Sequence, residues 1–296
     1  MTDFVIKDGV LIRYTGSSSE IEIPSGVTEI GDNALEFTGR LLLTGVTIPA
    51  GVKRIGNDAF KGCSALTSLT LPESVTEIGV SAFCSCTNLT QIVLPERMRY
   101  IRNWAFNRCS SLEAIQIPEG VKRVERCTFW GCTNLRTVTL PASVTKVGGQ
   151  AFYGCVNLTK AVMLGRMQNV DCSAFEDNRP IIRAPNTPVS VFDRKDKPGA
   201  VLGLAEAYQD GEAMEESAFM ESLKYIRSQR KRYYSKAIEH PALFRLMLAE
   251  KIIPKNDIER LLEECDAQGN TAAKAEVLEY ACRNFKPVSP SRKFHL

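Results

Sequence analysis

LTSLTLPESVTEIGVSAFCSC, residues 66–86, is a phrase the chain repeats. Proline recurs at Pro49, Pro72, Pro95, Pro118 and Pro141. An Ala-Phe pair ends at Phe60, Phe83, Phe106, Phe152 and Phe175, with Thr128-Phe129 as the variant. Cysteine recurs at Cys63, Cys86, Cys109, Cys132 and Cys155. Every ladder steps by 23 residues. A fixed period of this size means a solenoid, because one coil cannot bury its own apolar side and stacked coils make a continuous core.

Each coil reads in three pieces. In the first, Leu69 and Leu71 alternate with Ser68 and Thr70, the period of a strand with one face inward. The proline ends that strand, since it has no N–H for a ladder and fixes its own φ. The second piece, VTEIG, is a short extended stretch with Val75 and Ile78 inward. The third, SAFCSC, is too short for a free helix and reads as a helical turn burying Ala82 and Phe83. The fold class is therefore an α/β repeat protein of short strands and helical turns.

The rest of the chain follows outward from this unit. Phe4, Ile6, Val10 and Ile12 alternate with polar residues around Asp8-Gly9, the pattern of a hairpin that covers the open end of the solenoid. A first coil, Ile21 to Ile48, is two residues longer than the others. The last coil degrades: Leu164 replaces the proline, Asp171 the glycine and Asn178 the cysteine. Ile181 to Ala184 adds a closing strand, so residues 1–185 form the solenoid. Pro188 and Pro198 bracket a linker, 186–198. Residues 199–286 form an all-α domain, with helices expected at Ala205–Gln209, Glu216–Glu239 and Pro241–Glu250. Two more follow, Asp257–Ala267 capped by Asn256 and one from Thr271 to about Asn284 capped by Thr271. Residues 287–296 read as a disordered tail.

A chain of 296 residues with net charge +3 is nearly balanced, which argues against a dedicated nucleic-acid or membrane protein. No apolar run approaches the ~18 residues of a spanning helix. The polar start, TDFVIKDG, has no basic and apolar leader pattern, so the expected location is cytoplasmic, or the cell surface if a leader has been removed. Half of the ten cysteines occupy one repeat position, which reads as a column of buried thiols acting as small hydrophobes. With only His240 and His295 in the chain, no zinc site is implied, and no other metal or cofactor is expected. No Gly-rich phosphate loop or Gly-x-Ser-x-Gly occurs, and no cysteine has a histidine neighbour, so the chain reads as a non-enzyme.

The pattern Leu/Ile-x-x-Leu/Ile/Val-x-Leu/Ile-Pro-x-x-Val-x-x-Ile/Val-Gly-x-x-Ala-Phe-x-x-Cys resembles the BspA-like leucine-rich repeat family across about Ile21 to Ala184. The resemblance implies a curved right-handed leucine-rich-repeat solenoid with a protein-binding, often adhesive, role. The opening DFVIKDGVLIRYTG looks like that of the family's shorter members without a leader. Pro241 to Asn284 resembles ankyrin-like helix pairs, without their threonine-proline-leucine-histidine signature.

Three surfaces are candidates for contact with a protein partner. The first is the outward strand face, with Ser68, Thr70, Gln91, Gln116, Thr137 and Thr139, small and nearly uncharged. The second joins Arg99, Tyr100, Arg102, Lys122 and Arg123 with Trp104, Trp130 and Tyr153 in the middle coils. Between Pro95 and Trp130 seven basic residues face four acidic ones, and basic side chains beside aromatics typify interface anchors. Surface pairing, Glu125 beside Arg102, is the competing reading. The third is Ser222 to Ile238, with six basic residues and no acidic one, which suits nucleic-acid phosphate or anionic lipid, although a solvated face of a packed helix is the preferred reading. A protein-binding scaffold is the leading reading, with a surface adhesin and a polyanion binder as alternatives.

Overall fold

A computed structural model describes residues 3–36, 42–178 and 180–285. The expected tail and His295 lie outside the described residues. The hairpin forms as β1 (Phe4–Lys7) antiparallel to β2 (Val10–Tyr14), and β2 then pairs in parallel with the first short strand of the solenoid. It thereby covers that end of the stack.

Two sides of every coil are strands. One side carries β3 (Glu20–Glu22), β5 (Gly45–Thr47), β7 (Ser68–Thr70), β9 (Gln91–Val93), β11 (Ala114–Gln116), β13 (Thr137–Leu140), β15 (Lys160–Met163) and β17 (Ile181–Arg183). The other carries the two-residue strands written by VTEIG: β4 (Glu29–Ile30), β6 (Arg54–Ile55), β8 (Glu77–Ile78), β10 (Tyr100–Ile101), β12 (Arg123–Val124), β14 (Lys146–Val147) and β16 (Asn169–Val170). All pairings between coils are parallel and in strict register, one coil onto the next, as in Thr137↔Lys160 and Arg123↔Lys146.

The third side holds the Phe-Cys spine. It is built of turns, not helix. The rings of Phe60, Phe83, Phe106, Phe129, Phe152 and Phe175 stack face to face, with centroids 5.1, 5.4, 5.6, 5.4 and 5.2 Å apart. Two corners per coil adopt left-handed φ; Trp104 (62°) and Arg108 (58°) sit at such corners although neither is glycine.

The ladder does not run unbroken. One sheet ends at β10 and the next begins at β12; on the opposite side β9 and β11 are likewise unjoined, as are β5 and β7 nearer the hairpin. Arg99 N–H donates to the Thr76 carbonyl (2.9 Å) and Thr145 N–H to that of Lys122 (3.0 Å). The equivalent bond from Lys122 to Arg99 is missing among the described residues. A repeat glycine shows how close joined coils come. At Gly56, Gly79 and Gly148 a Cβ would stand 2.6–2.8 Å from the backbone of the previous coil, far inside contact distance. Arg102, Glu125 and Asp171 take that position in their coils; Arg102 and Asp171 still donate their N–H to the previous coil (the Ile78 and Val147 carbonyls, both 3.0 Å), and the equivalent bond from Glu125 is missing among the described residues. The turn side stays closed there, through Phe106 N–H to the Thr128 carbonyl (2.9 Å) and Arg108 N–H to that of Trp130 (2.7 Å).

The helices are α1 (Lys197–Gln209), α2 (Glu216–Glu239), α3 (Pro241–Ala249), α4 (Ile258–Ala267) and α5 (Thr271–Asn284). Helix α1 starts eight residues before the expected Ala205, because Pro198 falls in its first turn, where a missing N–H costs nothing. It lies directly on β17. A Cβ on Gly199 would clash with the Pro180 carbonyl, and one on Gly203 with the Ile182 carbonyl, so these glycines set the approach. The stretch read as a linker is packed: Thr187, Val189, Phe192 and Asp196 are buried. Val189 N–H donates to Ser222 Oγ (3.0 Å), and Thr187 Oγ1 accepts from Met167 N–H (2.8 Å). Apolar side chains from the solenoid and from the helices belong to one core.

Two caps differ from expectation. Asn270, not Thr271, caps α5, its side chain accepting from Ala273 N–H (2.9 Å). Asn256 falls inside a 3-10 turn, Lys255–Asp257, and α4 begins after it. The Asp257 carboxylate is drawn away to Arg230 Nε (2.8 Å) and the Tyr234 hydroxyl (2.8 Å).

Candidate binding surfaces

The interior offers no chemistry to a substrate. Four ladder thiols donate to the carbonyl of the phenylalanine one coil back: Cys86 to Phe60, Cys109 to Phe83, Cys132 to Phe106 and Cys155 to Phe129, all 3.1 Å; Cys63 donates to the carbonyl of Leu35, which stands in the phenylalanine position of the first coil (3.2 Å). Asn178, in the cysteine position of the last coil, makes the same bond to Phe152 with its amide (3.1 Å). Burial pushes the Cys63 and Cys155 thiols up to about 12 and the three between them well above their ordinary value. A thiol held protonated is neither nucleophile nor metal ligand. All ten cysteines are free thiols. Among the described residues no group of histidine, cysteine and carboxylate side chains could hold a metal.

On the strand face, Ser68, Thr70, Gln91, Gln116, Thr137 and Thr139 are exposed as alternation requires, with Val93 the one large apolar side chain among them. Their inward neighbours Leu69, Ile92, Ile115 and Val138 are buried, which fixes the outward set rigidly. At the hairpin end of this face a shallow hollow is lined by Glu20, Glu22, Thr44, Thr47, Ser68 and Thr70.

The basic and aromatic residues of the middle coils divide into two places. Trp130 and Tyr153 belong to the turn side, stacked 5.8 Å apart and 6° from parallel, with the Arg108 guanidinium over the outer face of Trp130 at 5.1 Å. Trp104 also sits at a turn-side corner and is half-buried. No hydrogen bond or ring contact joins these aromatics to Arg99, Lys122 or Arg123 among the described residues. Trp130 has its two faces occupied, so it acts as a staple between coils and not as a free anchor.

The short-strand face keeps Arg99, Tyr100, Arg102, Lys122 and Arg123 together, around a hollow that also includes Glu125. Arg102 is spent internally: it pairs with Glu77 (2.9 Å) and Glu125 (3.7 Å) and lies over the Tyr100 ring at 4.6 Å. Nearer the hairpin, Arg54 is likewise held by Glu29 and Asp32. Arg99, Lys122, Arg123 and Lys146 are exposed and have no acidic partner among the described residues. Pairing of adjacent coils thus neutralises Arg54 and Arg102 and leaves these four cations over in the middle coils, with Lys53 unpaired nearer the hairpin.

The basic helix α2 is partly spent as well. Arg230 and Lys231 face Asp257 (2.8 and 3.7 Å), and Arg227 donates to the Glu250 carbonyl (3.1 Å). Burial raises the Asp257 carboxyl, but bonds from Tyr234 and Arg230 outweigh it and leave it below the usual range. Sequence reasoning missed this carboxylate, because only packing brings Asp257 against α2. His240 stands 3.8 Å from Glu206, which Lys160 of the solenoid also holds (3.2 Å). It thus belongs to the contact between solenoid and helices.

These features define a leucine-rich-repeat solenoid whose outward sheets are its available surfaces. The chain belongs to the BspA type leucine rich repeat family: the family model matches residues 12–67 and 53–182, in six copies. Among solved structures, a leucine rich cell surface protein from Faecalibacterium prausnitzii A2-165 is 32% identical with a TM-score of 0.56, over 61% of this chain and 52% of that one. This chain therefore spans about half the length of that relative. A leucine rich repeat protein of T. pallidum is 29% identical over 54% of this chain and 67% of its own, with a TM-score of 0.40. One from Bacteroides ovatus is 23% identical over 65% and 69%, with a TM-score of 0.41. No curated protein matches the chain. No helix among the described residues is long and apolar enough to cross a membrane.

Proposed function

We propose that the chain is a non-enzymatic scaffold that binds a protein partner along its outward strand face. One observation carries this: the flat row of exposed Ser68, Thr70, Gln91, Gln116, Thr137 and Thr139 is held on a core whose ladder thiols bond from coil to coil. A rigid, small-residue sheet lets another backbone or side chain approach closely at little ordering cost. The test is affinity capture from a lysate of the source organism with the full chain, beside the full chain carrying Thr70→Arg, Gln116→Arg and Thr139→Arg. A discrete protein held by wild type and lost from the variant is expected, followed by reconstitution from the two purified proteins. A partner held equally by both would overturn the strand-face assignment.

Similarity to a cell surface protein at 32% identity favours a second reading, an adhesin exposed outside the cell. Proteolysis of intact cells separates it from a cytoplasmic scaffold. Digestion places the protein outside, and survival until lysis places it inside.

A further inference from the structure

We infer that the break between the coils of β10 and β12 is a docking site for an acidic segment of a protein partner, an assignment that rests on the scaffold reading above. Three independent features meet there. The backbone ladder stops at β10 and resumes at β12, where Glu125, in the position of the close-packing glycine, lacks the bond to the previous coil that Arg102 and Asp171 keep. A hollow there is lined by Arg99, Tyr100, Arg102, Lys122, Arg123 and Glu125. Four cations without an acidic partner gather at this hollow or beside it: Arg99 on one bank, Lys122 and Arg123 on the other, and Lys146 opposite Arg123 in the next strand; a fifth, Lys53, stands two coils away.

Two of the guanidinium groups are held in place. Arg99 is steered by its own Nη1, which donates to the Met98 carbonyl (3.1 Å). Arg102, clamped by Glu77 and Glu125, stacks over Tyr100 and leaves that phenol 52% exposed at the rim. An aromatic rim beside unpaired guanidinium groups suits a peptide with carboxylates and an apolar or aromatic neighbour.

The footprint chooses protein over nucleic acid. In the same two columns, the coils on either side present Thr76, Thr145, Gln168 and Asn169, all uncharged, and Glu77, which Arg102 holds. The cationic area therefore spans three coils, about 10 Å at the ~4.8 Å spacing of paired strands. An extended peptide crossing it, with outward side chains ~6.8 Å apart, sets two carboxylates against four cations. A nucleic-acid track needs a longer run of phosphate contacts, and Glu125 inside the hollow opposes it.

The test is fluorescence anisotropy of a labelled glutamate homopeptide against the full-length protein at low and at physiological ionic strength. Three proteins are compared: wild type, a face variant (Arg99→Gln, Lys122→Gln, Arg123→Gln, Lys146→Gln) and a helix variant (Lys224→Gln, Arg232→Gln, Lys236→Gln). All substituted residues are exposed, so folding should survive, as checked by circular dichroism. The expected result is binding that weakens about tenfold in the face variant, is unchanged in the helix variant and falls with salt. A single-stranded oligothymidylate of equal charge should bind more weakly than the peptide. Equal affinity of wild type and face variant, loss in the helix variant alone, or tighter binding of the oligonucleotide overturns the inference. If the face variant is silent while the strand-face variant still loses its captured protein, the scaffold stands and this site falls. If neither variant changes anything, both readings fall.

Discussion

A single thiol shows how the repeat position is used. Cys109 is fully buried and donates to the Phe83 carbonyl, which also accepts from the Cys86 N–H of its own turn (3.2 Å). Cys109→Ala should therefore lose both volume and donor, about 1–3 kcal/mol in urea unfolding. Asn178→Cys should cost no more than about 1 kcal/mol, since the thiol would restore the bond to Phe152 and lose the one the amide now gives to the Cys155 carbonyl (3.1 Å). The thiols also set an alkaline limit. Their folded pKa values lie above the unfolded ~8.5, so their stabilising contribution is complete below that pH and is lost as pH rises toward about 12. Melting temperature measured from pH 8 to 11 should fall steadily, and native thiols should resist Ellman's reagent at pH 8. Asp196 works in the same direction. Burial, then Asp193, raises its carboxyl to about 6, and Oδ2 has no partner among the described residues. Above pH 6 the native state must hold a buried charge, so Asp196→Asn should gain on the order of 1 kcal/mol at pH 7.5 and nothing at pH 4.

Among elements, the helix α1 is the one whose placement depends on a missing side chain. Its axis runs against β17 only because residues 199 and 203 have no Cβ. Gly203→Ala would favour an isolated helix by its propensity, yet here it should cost about 1–3 kcal/mol by lifting α1 from the Ile182 carbonyl. Limited proteolysis should cut first near residues 186–198 in that variant. The pair of α2 with the turn before α4 rests on Asp257. Asp257→Asn weakens two charge-assisted bonds and should cost about 1–3 kcal/mol, toward the lower end because the Arg230 side chain is 34% exposed and screened by water. The Asp257 pKa is lowered by folding, so its contribution exists above pH 4 and disappears as pH falls through the folded value.

At the scale of the molecule the question is how a stack ends. The β1–β2 hairpin covers one end and α1 covers the other, where Arg183 is clasped by Asp210 (2.8 Å) and Glu212 (2.6 Å), and Lys160 reaches Glu206. A chain cut after residue 185 keeps the whole repeat pattern but uncovers Ile182 and Ala184 of the last coil. It should melt well below the full chain and bind a hydrophobic dye, whereas independent folding of that piece would show the helices to be an appendage.

The repeat was legible from residues 66–86 because every core position recurs at 23 residues and period-two alternation assigns each side chain to a face. Local rules of this kind also placed α2 to the residue, through the apolar stripe from Leu223 to Ala237. Among the contact candidates, sequence put the outward columns correctly, since registry between coils carries them over unchanged. It anticipated Glu125 beside Arg102, which the structure shows, but not that Glu77 of the coil before holds the same guanidinium more closely. Nor could it separate Trp130 from Lys122, which are near in sequence and on different sides of the coil. The break at β10, the packing of 186–198 and the seat of α1 were decided by tertiary structure alone. Each depends on how closely two backbones approach, a distance that no single residue or local spacing fixes.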